Sequence, residues 1–250
     1  MLKLRPDKEF YPDPSKMRYI VCTVIAETNS EINLFALANG LELSESKVQS
    51  IKYINKKEQY YIDRIYNNTK ITEKKNKKSF NNQATLSVMT PDGKAINVKV
   101  FKNGYLQMTG CRDINDGKAV AEILCNCFSS NPQYILQNKK IQLNRVYIGM
   151  INSIFHSNFE ISRESLVSVI RDKYEKQIES INFEVTNYQG ITLKKKSTQG
   201  NVNTFLIFRS GKTLITGGKS TKDVEEMYSF INNVFKQHYN DIVLKKPIIC

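Results

Sequence analysis

The chain has 250 residues, and a hydrophobic share of 40% is ample for one core or two. Its 37 basic residues against 24 acidic ones leave a formal net charge of +13, which favours a polyanionic partner, nucleic acid ahead of an anionic membrane surface, while the many acids argue against a simple basic tail. No apolar run approaches a membrane span, the five cysteines fit reduced thiols, and only His156 and His238 could serve as imidazole ligands, so no membrane partner, metal or cofactor is expected.

Residues 1–16 hold three of the six prolines and read as an irregular arm without the apolar core of a signal peptide, so an intracellular protein is expected. From Met17 the chain turns β-branched, and Ile20 to Thr28 read as a strand. A helix follows around Ile32 to Leu43. Residues 52–79 are strongly polar and carry Lys70, Lys74, Lys75, Lys77 and Lys78 among Asn and Thr, the composition of an exposed basic loop.

Val98 to Gly110 read as a hairpin turning at Asn103-Gly104, a strong two-residue turn signal because its central positions favour positive φ. Ile114, Ala121, Leu124 and Phe128 then mark one helical stripe.

The second half repeats the plan. Val146 to Ile161 form a strand entry, and Leu166, Ile170, Tyr174 and Ile178 mark a helix over Ser162 to Glu179. Phe205 to Gly217 form a hairpin at Ser210-Gly211, and Val224, Met227, Phe230, Ile231 and Val234 form an amphipathic helix. A constant shift of 107 positions carries Phe101 onto Phe208, Gly104 onto Gly211, Thr109-Gly110 onto Thr216-Gly217, Asp116 onto Asp223 and Phe128 onto Phe235. At the start of each half the shift is 129, carrying Ile32 onto Ile161, so the first half holds extra residues, and 52–79 is where they fall. The expected organisation is an arm (1–16), a first repeat (17–135), a second repeat (136–240) and a tail (241–250).

Leu206-Ile207-Phe208-Arg209-Ser210-Gly211-Lys212, followed by Leu214-Ile215-Thr216-Gly217-Gly218-Lys219-Ser220, resembles the hallmark hairpin of the TATA-box-binding proteins. Val98 to Phe101 with Thr109-Gly110 is similar to its counterpart in the other repeat. The resemblance implies an α+β saddle of two pseudosymmetric lobes, each an antiparallel sheet with helices on the convex side and a concave face for the minor groove of double-stranded DNA. Alternation places Leu206, Phe208, Leu214 and Thr216 on that face and turns Phe205, Ile207 and Ile215 toward the helices.

Minor-groove binders of this type, the TATA-binding protein among them, insert apolar wedges between base steps. The resemblance maps the wedges to Phe208 and Tyr188 in the second lobe and to Phe101 and Phe80 in the first. It places Leu206, Leu214, Thr109, Thr216 and Asn152 in groove contact and Arg112, Lys194, Lys212 and Lys219 on phosphates. Lys99 and Gln107 stand where the family pattern has apolar groove-facing residues, and the central Asn positions are Val21 and Met150, with Asn152 two residues away.

The implied function is a general transcription initiation factor that binds and bends AT-rich promoter DNA beside a transcription factor IIB-like partner and the RNA polymerase machinery. The alternative is the same saddle kept as a protein-interaction module. With no convergent nucleophile, base and stabiliser, an enzyme is not expected. The insertion and the Asn/Lys-rich composition point to a viral or remote member. Localisation follows: the nucleus for a cellular protein, a cytoplasmic replication site in the host or the virion for a viral one.

Overall fold

The computed structural model describes residues 12–55, 60–71, 83–136, 140–184, 186 and 188–244. It divides into an amino-terminal unit, Val21–Gly149, and a carboxy-terminal unit made of Met1–Ile20 with Met150–Cys250. The division passes through two strands, β1 (Arg18–Thr28) and β8 (Leu143–His156).

The amino-terminal unit runs β1, α1 (Leu34–Gly40), β2 (Val48–Asn55), β3 (Tyr60–Ile65), β4 (Asn68–Ile71), β5 (Gln83–Met89), β6 (Ala95–Phe101), β7 (Tyr105–Cys111) and α2 (Ile114–Ser129). Its antiparallel sheet has the order β4-β3-β2-β5-β6-β7-β1. Period-two alternation sends Val24, Ala26, Leu86, Val98, Val100, Leu106 and Met108 into the core, where Val120, Ala121, Leu124 and Phe128 of α2 are also buried. Ile114, expected on the buried stripe of α2, is instead exposed in the first turn, directly after the Asp113 cap.

Within 52–79, the described residues 52–55 and 60–71 are largely strand where a loop was expected. Lys52 to Asn55 complete β2, and β3 and β4 add a hairpin at the outer edge of the sheet. Three contacts fasten β3: Ile62 is buried, Lys52 pairs with Asp63 at 3.4 Å, and Arg64 Nη1 donates to the Ala38 and Asn39 carbonyls at the end of α1. The charged Asp63 and Arg64 also hide β3, which is paired on both sides, from a hydrophobicity pattern. Lys74, Lys75, Lys77 and Lys78 lie outside the described residues.

The carboxy-terminal unit runs β8, α3 (Arg163–Tyr174), β9 (Ser180–Asn182), β10 (Ile191–Lys196), β11 (Val202–Ile207), β12 (Lys212–Gly218), α4 (Thr221–Gln237) and α5 (Tyr239–Ile242). The sheet order is β8-β12-β11-β10-β9, again antiparallel. Phe205, Ile207 and Ile215 are wholly buried, as are Val224, Met227, Ile231 and Phe235 of α4. Ser220 and Asp223 close a capping box at the start of α4, satisfying amide groups that have no partner within the helix. The helix expected to Glu179 ends at Tyr174 and passes into a short 3-10 turn, Glu175–Gln177.

Residues 12–17 form no regular element, yet they are fastened to this unit. Ser15 N donates to the His156 carbonyl at 2.8 Å, His156 N returns a bond to Ser15 Oγ at 2.8 Å, and the Tyr228 hydroxyl donates to the Ser15 carbonyl at 3.0 Å. Both hairpin turns need glycine. Gly104 and Gly211 have φ of 82° and 87°, and a Cβ on Gly104 would run into the Ser30 carbonyl, one on Gly211 into the Phe159 carbonyl.

Candidate nucleic-acid interface

In the carboxy-terminal unit the sheet face opposite the helices carries a row in strict register: Asn182, Thr192, Leu206, Leu214 and Ile154, one residue from each of five strands. The next row of β10 to β12 is Lys194, Thr204 and Thr216. Leu206, Leu214 and Ile154 are half-buried although no helix covers them, while their neighbours along each strand are the buried core. This face is therefore apolar at its centre and basic at its rim, where Lys194 and Lys212 are exposed and form no ion pair among the described residues.

Two rings stand at one end of this face. Phe208 follows β11, Tyr188 precedes β10, and their centroids are 5.9 Å apart in an edge-on arrangement. Gly190 lies beneath both, where a Cβ would come within 2.8 Å of Tyr188 and 3.2 Å of Phe208. The turn carrying Tyr188 is held from below: Arg163, at the start of α3, stacks its guanidinium over Phe183 at 5.0 Å and donates to the Gln189 carbonyl. Tyr188 N donates in turn to the Glu184 carbonyl at 2.9 Å. Arg163 was not among the site residues read from sequence, because its target lies 26 residues away and only folding brings the two together.

Thr216 Oγ1 donates to Met150 Sδ at 3.5 Å, and Thr109 Oγ1 donates to the Asn97 carbonyl at 3.4 Å. Asn152 is half-buried, with its Oδ1 lacking a hydrogen-bond partner among the described residues. Lys219 is exposed and its backbone N donates to Asp223 Oδ2 at 3.0 Å.

The equivalent row in the amino-terminal unit reads Lys52, Thr85, Lys99, Gln107 and Ile25. The shifts seen in the sequence map Thr85 onto Thr192, Lys99 onto Leu206, Gln107 onto Leu214 and Ile25 onto Ile154, and both sheets pair these residues in the same order. Phe101 is half-buried opposite Gln83, the counterpart of Gly190, and Phe80 lies outside the described residues.

Arg112 occupies the position of Lys219 but is differently engaged. Its Nη2 and Nε meet the two oxygens of Asp116 at 2.6 and 3.0 Å, and its Nη1 meets Asp92 at 2.6 Å. This double pairing holds the Asp92 carboxyl down at about 2 and also lowers Asp116. The guanidinium is thus committed to two carboxylates. Among the described residues no group of three or more His, Cys, Asp or Glu is placed to hold a metal, and no helix is long and apolar enough to cross a membrane.

The α+β fold is that of the TATA-binding proteins. Methanococcus jannaschii TBP superimposes with a TM-score of 0.52 at 16% identity, over 90% of this chain and 99% of that one. Residues 169–238 match the family model described as transcription factor TFIID (or TATA-binding protein, TBP). A TATA-box-binding protein-like protein of Acanthamoeba polyphaga mimivirus is 28% identical over 254 positions, covering 94% of this chain and 69% of its own length. The chain thus has the fold of the TATA-binding proteins and is similar in sequence to that viral TATA-box-binding protein-like protein and, over residues 169–238, to the TATA-binding protein family model.

Proposed function

We propose that this protein is a minor-groove transcription initiation factor that binds and bends AT-rich promoter DNA. The observation that carries the reading is the open face of the carboxy-terminal unit. It sets Leu206, Leu214 and Ile154 in one uncovered row and stands the Tyr188 and Phe208 rings together at its end. Monomeric proteins seldom leave such an apolar strip open without a use for it. Apolar side chains suit a groove whose A·T pairs show only acceptors, and paired rings can enter a base step and unstack it.

In this reading Phe208, Tyr188, Phe101 and Phe80 are the wedges, and Leu206, Leu214, Thr109, Thr216 and Asn152 line the groove. Lys194, Lys212 and Lys219 hold phosphates and set position without reading sequence. The net charge of +13 speeds encounter with DNA of any sequence. The family resemblance extends the reading to a transcription factor IIB-like partner and RNA polymerase, and the viral relative favours a virus as the setting.

The test is a fluorescence titration that reads binding and bending together at near-physiological salt, comparing an AT-rich promoter duplex with a GC-rich duplex of equal length. A bent complex that prefers the AT-rich duplex is expected. Weak, salt-sensitive binding to both duplexes without bending would instead assign the fold to a protein partner.

A further inference from the structure

The two open faces carry matched rows that differ at only two of four aligned positions. Thr85 and Ile25 of the amino-terminal unit correspond to Thr192 and Ile154 of the other, whereas Lys99 and Gln107 replace Leu206 and Leu214. Lys99 and Gln107 are direct cross-strand partners, both half-buried. The next lysine along the row, Lys52, is held by Asp63 at 3.4 Å, but Lys99 forms no ion pair among the described residues. One unit therefore presents an aliphatic pair where the other presents five donor hydrogens and a carbonyl acceptor.

The two pairs suit different base chemistry. In the minor groove an A·T pair shows only the acceptors N3 and O2, while a G·C pair adds the guanine N2 amino donor. Against Leu206 and Leu214 that amino group would be buried without an acceptor, a penalty that works against G·C. Against Gln107 it finds the amide Oε1, and the Lys99 ammonium and Gln107 Nε2 supply donors for the flanking O2 and N3.

Resting on the minor-groove reading above, we infer that the two units differ in base specificity. The carboxy-terminal unit requires A·T pairs, the amino-terminal unit admits G·C, and Lys99 and Gln107 are the residues that set the difference. The preferred site is then asymmetric in composition, and the asymmetry fixes which way the protein faces on DNA.

The experiment is selection of the full chain on a randomised duplex library, followed by affinity measurement on the selected site with single G·C pairs introduced position by position. The wild type is expected to select one block free of G·C beside one of mixed composition. A G·C pair should cost roughly tenfold or more in affinity within the first block and markedly less within the second. In the variant Lys99→Leu/Gln107→Leu, the G·C penalty, taken relative to that variant's own affinity for an all-A·T duplex, should become as large in the second block as in the first. The reciprocal variant Leu206→Lys/Leu214→Gln should relax the first block, and it serves as the independent check should the leucine variant fold poorly. A uniform penalty across the wild-type site, or an unchanged profile in a variant that still binds the all-A·T duplex, would overturn the specificity assignment and leave the minor-groove reading intact. Failure of the wild type to enrich or bend any A·T-rich duplex would remove both.

Discussion

The rings of Tyr188 and Phe208 meet edge-on at 5.9 Å above Gly190, so the space that both need is kept open by a residue without a side chain. Gly190→Ala puts a methyl within 2.8 Å of the Tyr188 ring, and the ring must move. We expect this variant to fold, since the backbone there does not require positive φ, and to bind AT-rich DNA with a smaller bend. Phe208→Ala should reduce the bend further, and Phe101→Ala should act in the same direction. Each should spare nonspecific association. The readout is energy transfer between end-labelled duplex termini, and an unchanged bend in all three variants would strike Phe101, Tyr188 and Phe208 from the wedge set.

Arg163 makes a second, indirect prediction. It touches neither face nor rim but grips the turn that carries Tyr188, through the Phe183 ring and the Gln189 carbonyl. Arg163→Ala should speed amide hydrogen exchange over residues 183–190 and lower bending, while leaving the salt dependence of binding unchanged. Arg163→Lys keeps the charge but not the planar stack, so it should behave more like alanine than like wild type. A flattened salt dependence in the alanine variant would place Arg163 on a phosphate instead.

What the chain reveals before folding is governed by the range of the interactions concerned. Phe205, Ile207 and Ile215 are buried and Leu206 and Leu214 lie on the open face because alternation along a strand is local. The two turn glycines and the α4 stripe are legible for the same reason. The β3 hairpin was not. Its strand carries Asp63 and Arg64, and its place depends on Lys52 and on the end of α1, neither adjacent in sequence. Ser15 with His156, Arg163 with Gln189 and Arg112 with Asp92 are likewise pairings that only the folded chain creates.

The carboxylates around Arg112 predict the acid limb of stability. Asp92 is held at about 2 against an ordinary value of 3.8, and Asp116 is lowered as well. A carboxyl whose folded value lies below its unfolded one stabilises the fold at pH above the unfolded value, and that contribution fades as pH falls through the folded one. Denaturation midpoints should therefore hold above about pH 4 and decline toward pH 2. In Arg112→Gln this decline should be shallower, because the main cause of both lowered values is gone. An identical acid limb in the variant would mean that other carboxylates, Asp223 among them, control it.

Arg112 also separates two kinds of basic residue at the rim. Lys194 and Lys212 are exposed without an ion pair among the described residues, whereas Arg112 is bound by Asp92 and Asp116 at 2.6 Å each. A lysine that neutralises one phosphate releases condensed counterions, so its loss should flatten the slope of log K against log salt by about 0.9. Lys194→Ala and Lys212→Ala are each expected to show that change on AT-rich and GC-rich duplexes alike, since phosphate contacts carry no sequence information. Arg112→Ala should leave the slope unchanged, its charge being already balanced by the two carboxylates. Asp92→Asn removes one of them and should steepen the slope by freeing part of the guanidinium for phosphate. Titrations over a range of salt concentrations measure all four slopes, and a drop for Arg112→Ala equal to that of the lysines would return Arg112 to the phosphate contacts.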